Sequence, residues 1–279
     1  MRFLPLAVTL ITLSATHAAA QIAPPRRPAT DAEVILGNVL IGGLTAVTRA
    51  AISGKNPFTA FSLGALGGAV HVAGKHLTVE PGPVNGWLGL AVASTGTSIV
   101  GNAGRGVSPL QELTLPILSA RVLWKPGEAQ RVRIVVNGYE SVLIASAFMT
   151  RDLRIDWSET ASSGAAVFRT ERSDIVIDDY EYGGLAWGPV VVIGKRAFDP
   201  GSVLRHELIH VQQNWFVAEA WDRPIEDALR AKLPGGRFVP SWLQLGVISL
   251  GIMAADDGLF GERGLAALLQ AEAERLERR

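Results

Sequence analysis

The sequence predicts an α+β fold, and three shifts in composition along its 279 residues predict it. From about Asp31 to Arg105 the chain is rich in Gly and Ala, with apolar runs such as "VILGNVLIGGLTAVT" and "FTAFSLGALGGAV". From Leu110 to Ile193 it turns to short β-branched segments, and from Asp199 onward the pattern is helical. These zones predict small-residue-rich helices, a central antiparallel β region, and a C-terminal helical segment that carries "RHELIHVQQNW" (Arg205 to Trp215).

The elements follow in chain order. "MRFLPLAVTLITLSATHAAAQ" has a basic start at Arg2, an apolar run from Phe3 to Leu13 and small residues ending Ala18-Ala19-Ala20. That is the layout of a secretory signal peptide over residues 1–20, and it predicts an exported, periplasmic or envelope-associated protein. The apolar core is about a dozen residues, short of the roughly 20 that span a bilayer. Residues 21–30, with "APPRRP", read as a mobile lead-in. In residues 31–105 each apolar run is interrupted by Gly, Ser, Thr or Asn, and Arg49, Lys55, Lys75 and His76 punctuate the zone. Such runs predict buried or membrane-associated helices ahead of inserted spans, and "FVPSWLQLGVISLGIMAA" (Phe238 to Ala255) reads the same way. Gly64 and Gly68 form a GxxxG spacing that permits close helix contact, and "GNAGRG" (Gly101 to Gly106) reads as a linker.

Residues 106–279 are expected to form one β-plus-helical unit. "ARVLW", "RVRIVV", "SVLIASAF", "AAVFRTE" and "DIVIDD" read as strands, with turn signals at Pro126-Gly127 and Asn137-Gly138. "PVVVIG" (Pro189 to Gly194) reads as a further strand, positioned to line a cleft and pair with an extended peptide. Asp199-Pro200 then supplies an N-cap and a first-turn proline for a helix reaching about Trp221.

On that helix His206 and His210 lie one turn apart on one face, so both imidazoles can reach a single metal ion. Glu207 is offset by about 100 degrees, where it can flank the metal and take a proton from water. Val203, Leu204, Leu208, Ile209, Val211, Trp215 and Phe216 make the helix apolar nearly all round. A helix of that kind is buried, and buried histidines beside a buried glutamate need partners. Gln213 falls one further turn along the histidine face. Two histidines with a carboxylate suit zinc best, and a catalytic zinc takes three protein ligands. Position 216 is Phe, so no third histidine follows at HExxHxxGxxH spacing. Glu226 is the favoured third ligand, with Asp222 and Asp227 in reserve; Glu219 falls on the wrong side of the helix. His71 and His76 suit surface or capping roles better.

The stretch "HELIHVQQNW…RPIEDA" resembles the gluzincin-like branch of the zincin metallopeptidases, in which a second helix supplies a glutamate. Over about residues 190–230 it is also similar to the metallopeptidase-like domains of contractile-injection-system core proteins. The resemblance implies His206, His210 and Glu226 as zinc ligands and Glu207 as general base for a zinc-activated water. The longer NExxxD-type second motif of that branch is absent. Tyr180, Tyr182, Arg205 and Arg223 are candidate electrophiles for an oxyanion.

The function expected is therefore an exported zinc-dependent metallohydrolase, a peptidase acting on peptide or protein substrates of the cell envelope. Acidic and basic residues balance at 26 each, which argues against nucleic acid as a partner. With no cysteine, thiol nucleophiles, disulfides and cysteine-ligated zinc are excluded. Two alternatives stand beside it: a non-catalytic envelope protein with a structural or vestigial zincin helix, and a polytopic membrane protein. Residues 31–105 are apolar enough for membrane association. The acidic "DIVIDDYEY" lacks the ligand alternation of a calcium loop, and Ser162-Ser163 lacks a nucleophile-elbow context.

Overall fold

The computed structural model describes residues 29–82, 84–128, 131–171, 175–177, 180–195, 199–223, 226, 243–244 and 265–277. The leader, most of the lead-in, Asp227 and nearly all of Phe238 to Ala255 lie outside them. The fold is mixed α+β.

Three antiparallel helices come first: α1 (Asp31–Ile52), α2 (Pro57–Val79) and α3 (Asn85–Arg105). Their ends follow from local chemistry. Thr30 and Glu33 close a capping box on α1, and the Asn56 side chain caps α2 ahead of Pro57. Gly106 ends α3 in the left-handed region at φ 67°. "GNAGRG" is thus the last turn of a helix and its cap; Gly101 and Gly104 lie where Arg49 of α1 packs on α3, and Gly106 lies beside Lys55.

Glycine weakens an isolated helix by about 0.5–1 kcal/mol per residue, so close packing must offset it. A Cβ on Gly68 would overlap the Asn38 carbonyl of α1, and one on Gly74 would overlap the backbone of Ala93 in α3. Backbone meets backbone at both places. Gly74→Ala is expected to cost about 1–3 kcal/mol, read as a lower urea midpoint. Gly37→Ala, where nothing lies within 4 Å of the added carbon, should instead be neutral or stabilising. Among the described residues α1 is the one helix long and apolar enough to cross a membrane, with 33% of its most apolar window buried.

The β region forms two small sheets. Strands β1 (Leu113–Ile117), β2 (Ala120–Trp124) and β3 (Val132–Asn137) pair antiparallel, and β10 (Leu243–Gln244) adds parallel to β3. In the second sheet β4 (Leu153–Ile155), β5 (Ala166–Thr170), β9 (Val190–Ile193) and β8 (Gly184–Trp187) lie in that spatial order. There β5 and β9 run parallel, so the β region is mixed and not wholly antiparallel. A hairpin of β6 (Ile175–Ile177) and β7 (Tyr180–Tyr182) leads into β8.

One segment read as a strand is helical. "SVLIASAF" lies within α4 (Gly138–Met149). Val142 and Ile144 suggested a strand, but the Asn137 side chain caps the Glu140 amide and the small or unbranched residues around them favour helix. A short α5 (Trp157–Ser163) follows β4.

Helix α6 (Pro200–Val217) begins where its sequence says it should, with the Asp199 side chain accepting from the amides of Gly201 and Ser202. It continues through a π-helical turn, Ala218–Asp222. The chain closes with α7 (Leu265–Glu277), packed against α6, α2 and α1. Three hydrophobic clusters meet on α6. Leu208, Val211 and Trp215 pack on the β5/β9/β8 sheet, Phe216 on Ala46, Ala50 and Val100 of α1 and α3, and Ile209 on Val34, Val72 and Leu276. That explains a helix apolar on every side: it is the axis of the molecule, and α1–α3 are its scaffold.

Candidate metal centre on helix α6

The two histidines of α6 face each other. His206 Nε2 lies 3.2 Å from His210 Nε2, with ring centroids 4.9 Å apart and planes inclined by 68°. Both come from one face of a continuous helix, so their spacing is set by the helical turn. Two nitrogens bound tetrahedrally to one zinc at the usual length stand ~3.3 Å apart, close to the separation seen here.

The surrounding hydrogen bonds fix the proton on His210. Glu272 of α7 accepts from Gln213 Nε2 at 2.8 Å, and a carboxylate only accepts. The other end of that amide, Gln213 Oε1, therefore faces His210 Nδ1, 2.8 Å away. So Nδ1 donates to Gln213, which leaves Nε2 as the ring nitrogen on the His206 side. A ligating histidine whose other ring nitrogen donates to a carbonyl has this arrangement.

Behind Gln213 the network runs into the scaffold. Glu272 also accepts from Lys75 Nζ at 2.8 Å and from Asn38 Nδ2 at 2.6 Å. Burial alone would raise the Glu272 carboxyl; Lys75 and the amides of Gln213 and Asn38 outweigh it and hold it below the usual carboxylate range. Helices α1, α2, α6 and α7 thus share one buried polar knot two bonds from the imidazole.

Glu207 is buried beside strand β8. An added Cβ on Gly184 would come 3.2 Å from Glu207 Oε1 and would overlap Val203, so the bare backbone of β8 is what lets this face of α6 dock. Strand β9, expected to hold an extended peptide, is paired on both sides and has no edge to offer. Its neighbour β8 is, with β4, an outer strand of this sheet among the described residues, and it is the one against Glu207.

The other expected residues are placed as follows. Glu226 lies buried in helical conformation beyond the π turn, and among the described residues no group of three His, Cys, Asp or Glu side chains comes together. Asp222 closes the π turn; Asp227 is outside the described residues. Glu219, already disfavoured by helical phase, bonds Arg223 Nη1 at 2.5 Å. Arg223 also bonds Glu112 at 2.5 Å, which commits it to a buried ion cluster and removes it as an electrophile. Burial would raise the Glu112 carboxyl, but Arg223 and Arg105 hold it low. Tyr180 and Tyr182 occupy β7, and Arg205 is half-buried on α6.

His71 departs from its expected surface role. It is buried in α2, 3.0 Å by Nδ1 from the Ala93 carbonyl and 5.0 Å between ring centroids from Phe216. Burial, reinforced by Lys75, lowers its pKa to about 3, so it is a neutral packing residue. His76 is half-buried in the last turn of α2.

No family model, curated protein or solved structure matches this chain. The donor set at His206 and His210 fits zinc on its own chemistry: two imidazole nitrogens at a metal-spanning separation, one with its tautomer fixed for ligation. Sequence reasoning missed Gln270 and Glu272 of α7 and the Lys75–Asn38 pair. The signal for Lys75 was a lone cation in a helix of small apolar residues; nothing in the sequence joined it to the histidines.

Proposed function

We propose that this chain is an exported zinc-dependent metallohydrolase, a peptidase acting on peptide or protein substrates of the cell envelope. The observation that carries the reading is the 3.2 Å approach of the two Nε2 atoms, with His210 held in the ligating tautomer. Zinc, when bound, supplies a Lewis acid that activates water and polarises a scissile carbonyl. His206 and His210 hold and orient it. Glu207 takes the proton from the attacking water and returns it to the departing amine. Burial of α6 between sheet and scaffold keeps the hydrogen bonds from His210 through Gln213 to Glu272 out of competition with water.

The test is elemental analysis of the purified full chain. Wild type and Glu207→Gln are expected to carry near-stoichiometric zinc, and His206→Ala is expected to lose it. Wild type that stays zinc-free after reconstitution would defeat the reading.

A non-catalytic envelope protein is the second reading, favoured by the packing of α7 against α6, which places Gln270 on His210. It differs from the first in one outcome: a Glu207 that matters neither to turnover nor to metal retention. A polytopic arrangement, suggested by the length of α1, predicts that alkaline carbonate leaves the protein in the membrane pellet.

A further inference from the structure

The turn from α1 into α2 carries the two most exposed large apolar side chains among the described residues. Ile52 and Phe58 are each 80% exposed and stand on either side of it, and every residue from Ala51 to Thr59 is exposed. The turn is nevertheless held by its own hydrogen bonds. The Lys55 amide donates to the Ala50 carbonyl at 2.8 Å, and Gly54 takes the left-handed region at φ 65°. The Asn56 side chain accepts from the amides of Phe58 and Thr59. Holding two large apolar groups out in water is unfavourable, and such groups mark a contact surface.

Charge is divided along the three-helix bundle. Asp31, Glu33 and Glu80 lie at its other end, and no acidic residue occurs between Glu33 and Glu80 or between Glu80 and Glu112. Arg49, Lys55 and Arg105 lie at the end with Ile52 and Phe58. The stem of Lys55 crosses Gly106, and its exposed ammonium has no ion pair among the described residues. Arg105 is 39% exposed and shares the buried Glu112 with Arg223. Glu112 and Glu219, the carboxylates that act on Arg49, are both bonded to Arg223. This end of the bundle is therefore apolar at its tip and basic around it.

We infer that this end of the bundle docks on an anionic phospholipid surface, with Ile52 and Phe58 in the outer acyl layer and Lys55 and Arg105 against headgroup phosphates. Such a surface offers acyl chains and negative charge in adjacent layers, which is the pairing the tip presents. Two side chains on an exposed turn fall well short of the roughly 800 Å² per partner that a specific protein interface buries, and a lipid surface demands no matching shape. The contact differs from a spanning arrangement, because α1 stays outside the hydrocarbon beyond its last turn. Zinc plays no part in it, so the metal reading stands or falls separately.

The chain has no cysteine, so a single introduced thiol gives one labelled position. Ser53→Cys and, in a separate protein, Leu40→Cys about 18 Å back along α1 are labelled with an environment-sensitive fluorophore in the full chain. The vesicles are phosphatidylcholine alone or an equal mixture with phosphatidylglycerol. A blue shift and a rise in emission are expected at Ser53 with the mixed vesicles, a weaker response with phosphatidylcholine alone, and none at Leu40. Ile52→Asp combined with Phe58→Asp is expected to lower vesicle affinity about tenfold or more at an unchanged thermal transition. Lys55→Gln is expected to lower it about fivefold at physiological ionic strength. No response at Ser53, or one that survives the paired aspartates, overturns the docking tip. An equal response at Leu40 overturns it too, because α1 would then lie in lipid along its length. A response that grows with protein concentration and needs no vesicles overturns it in favour of a second copy of the chain. Equal responses to the two vesicle types overturn the headgroup contacts of Lys55 and Arg105.

Discussion

Glu207→Gln is expected to lower peptide hydrolysis by about 10²–10⁴-fold while leaving the fold and zinc content unchanged. The substitution is isosteric and removes only the capacity to accept a proton. Glu207 is 6% exposed and packed against β8 at Gly184. The readout is kcat/KM on a quenched-fluorescence peptide library, with zinc content and thermal melting recorded on the same samples. Turnover within tenfold of wild type would remove Glu207 from the mechanism. Unchanged zinc together with lost turnover separates a catalytic role from a ligand's role.

The largest stability effect is expected at the opposite end of the same network. Lys75 and Glu272 are 2% and 8% exposed and bonded at 2.8 Å. Removing one member strands the other charge in the interior, which costs about 3–5 kcal/mol. Glu272→Ala should do so and should also release Gln213, loosening the constraint on His210. The double substitution Lys75→Met, Glu272→Gln removes both charges and keeps an acceptor for Gln213. Its loss should be smaller than that of Glu272→Ala alone, and a urea titration of the variants checks this.

The pair also sets an acid limit. The folded Glu272 carboxyl is held below its ordinary value, so its contribution is complete above the unfolded value of about 4.3 and is lost as pH falls through the folded one. Wild type should lose stability below about pH 4 more steeply than the double variant.

Much of the fold was legible because its signals are local. Thr30 with Glu33, Asn56 with Pro57, and Asp199 with Pro200 each mark a helix start through their own hydrogen bonds. The all-round apolarity of α6 foretold its central position. The strand reading of "SVLIASAF" failed because β-branched residues are common to buried strands and to helices packed against a sheet; the Asn137 cap decided between them. Pairing order was not legible: β9 was expected to pair with an extended peptide, and it is interior because β8 returns beside it.

At the site the histidine pair was readable from helical spacing alone. Its surroundings were not, because Gln270 lies 60 residues from His210 and Lys75 lies 197 from Glu272. Only tertiary contact joins them, and no local pattern in the sequence announces it. Glu226 was favoured because carboxylates are the usual partners of two histidines. Among the described residues Glu226 is buried beyond the π turn, and the side chain that α7 sets beside His210 is Gln270.

The most direct test of the central claim is a crystal of the full chain grown with zinc and measured on both sides of the zinc absorption edge. One anomalous peak about 2.1 Å from both His206 Nε2 and His210 Nε2 is the predicted result. No peak at the histidines, or a peak only at surface carboxylates, would contradict it and leave "HELIH" as the packed axis of the fold.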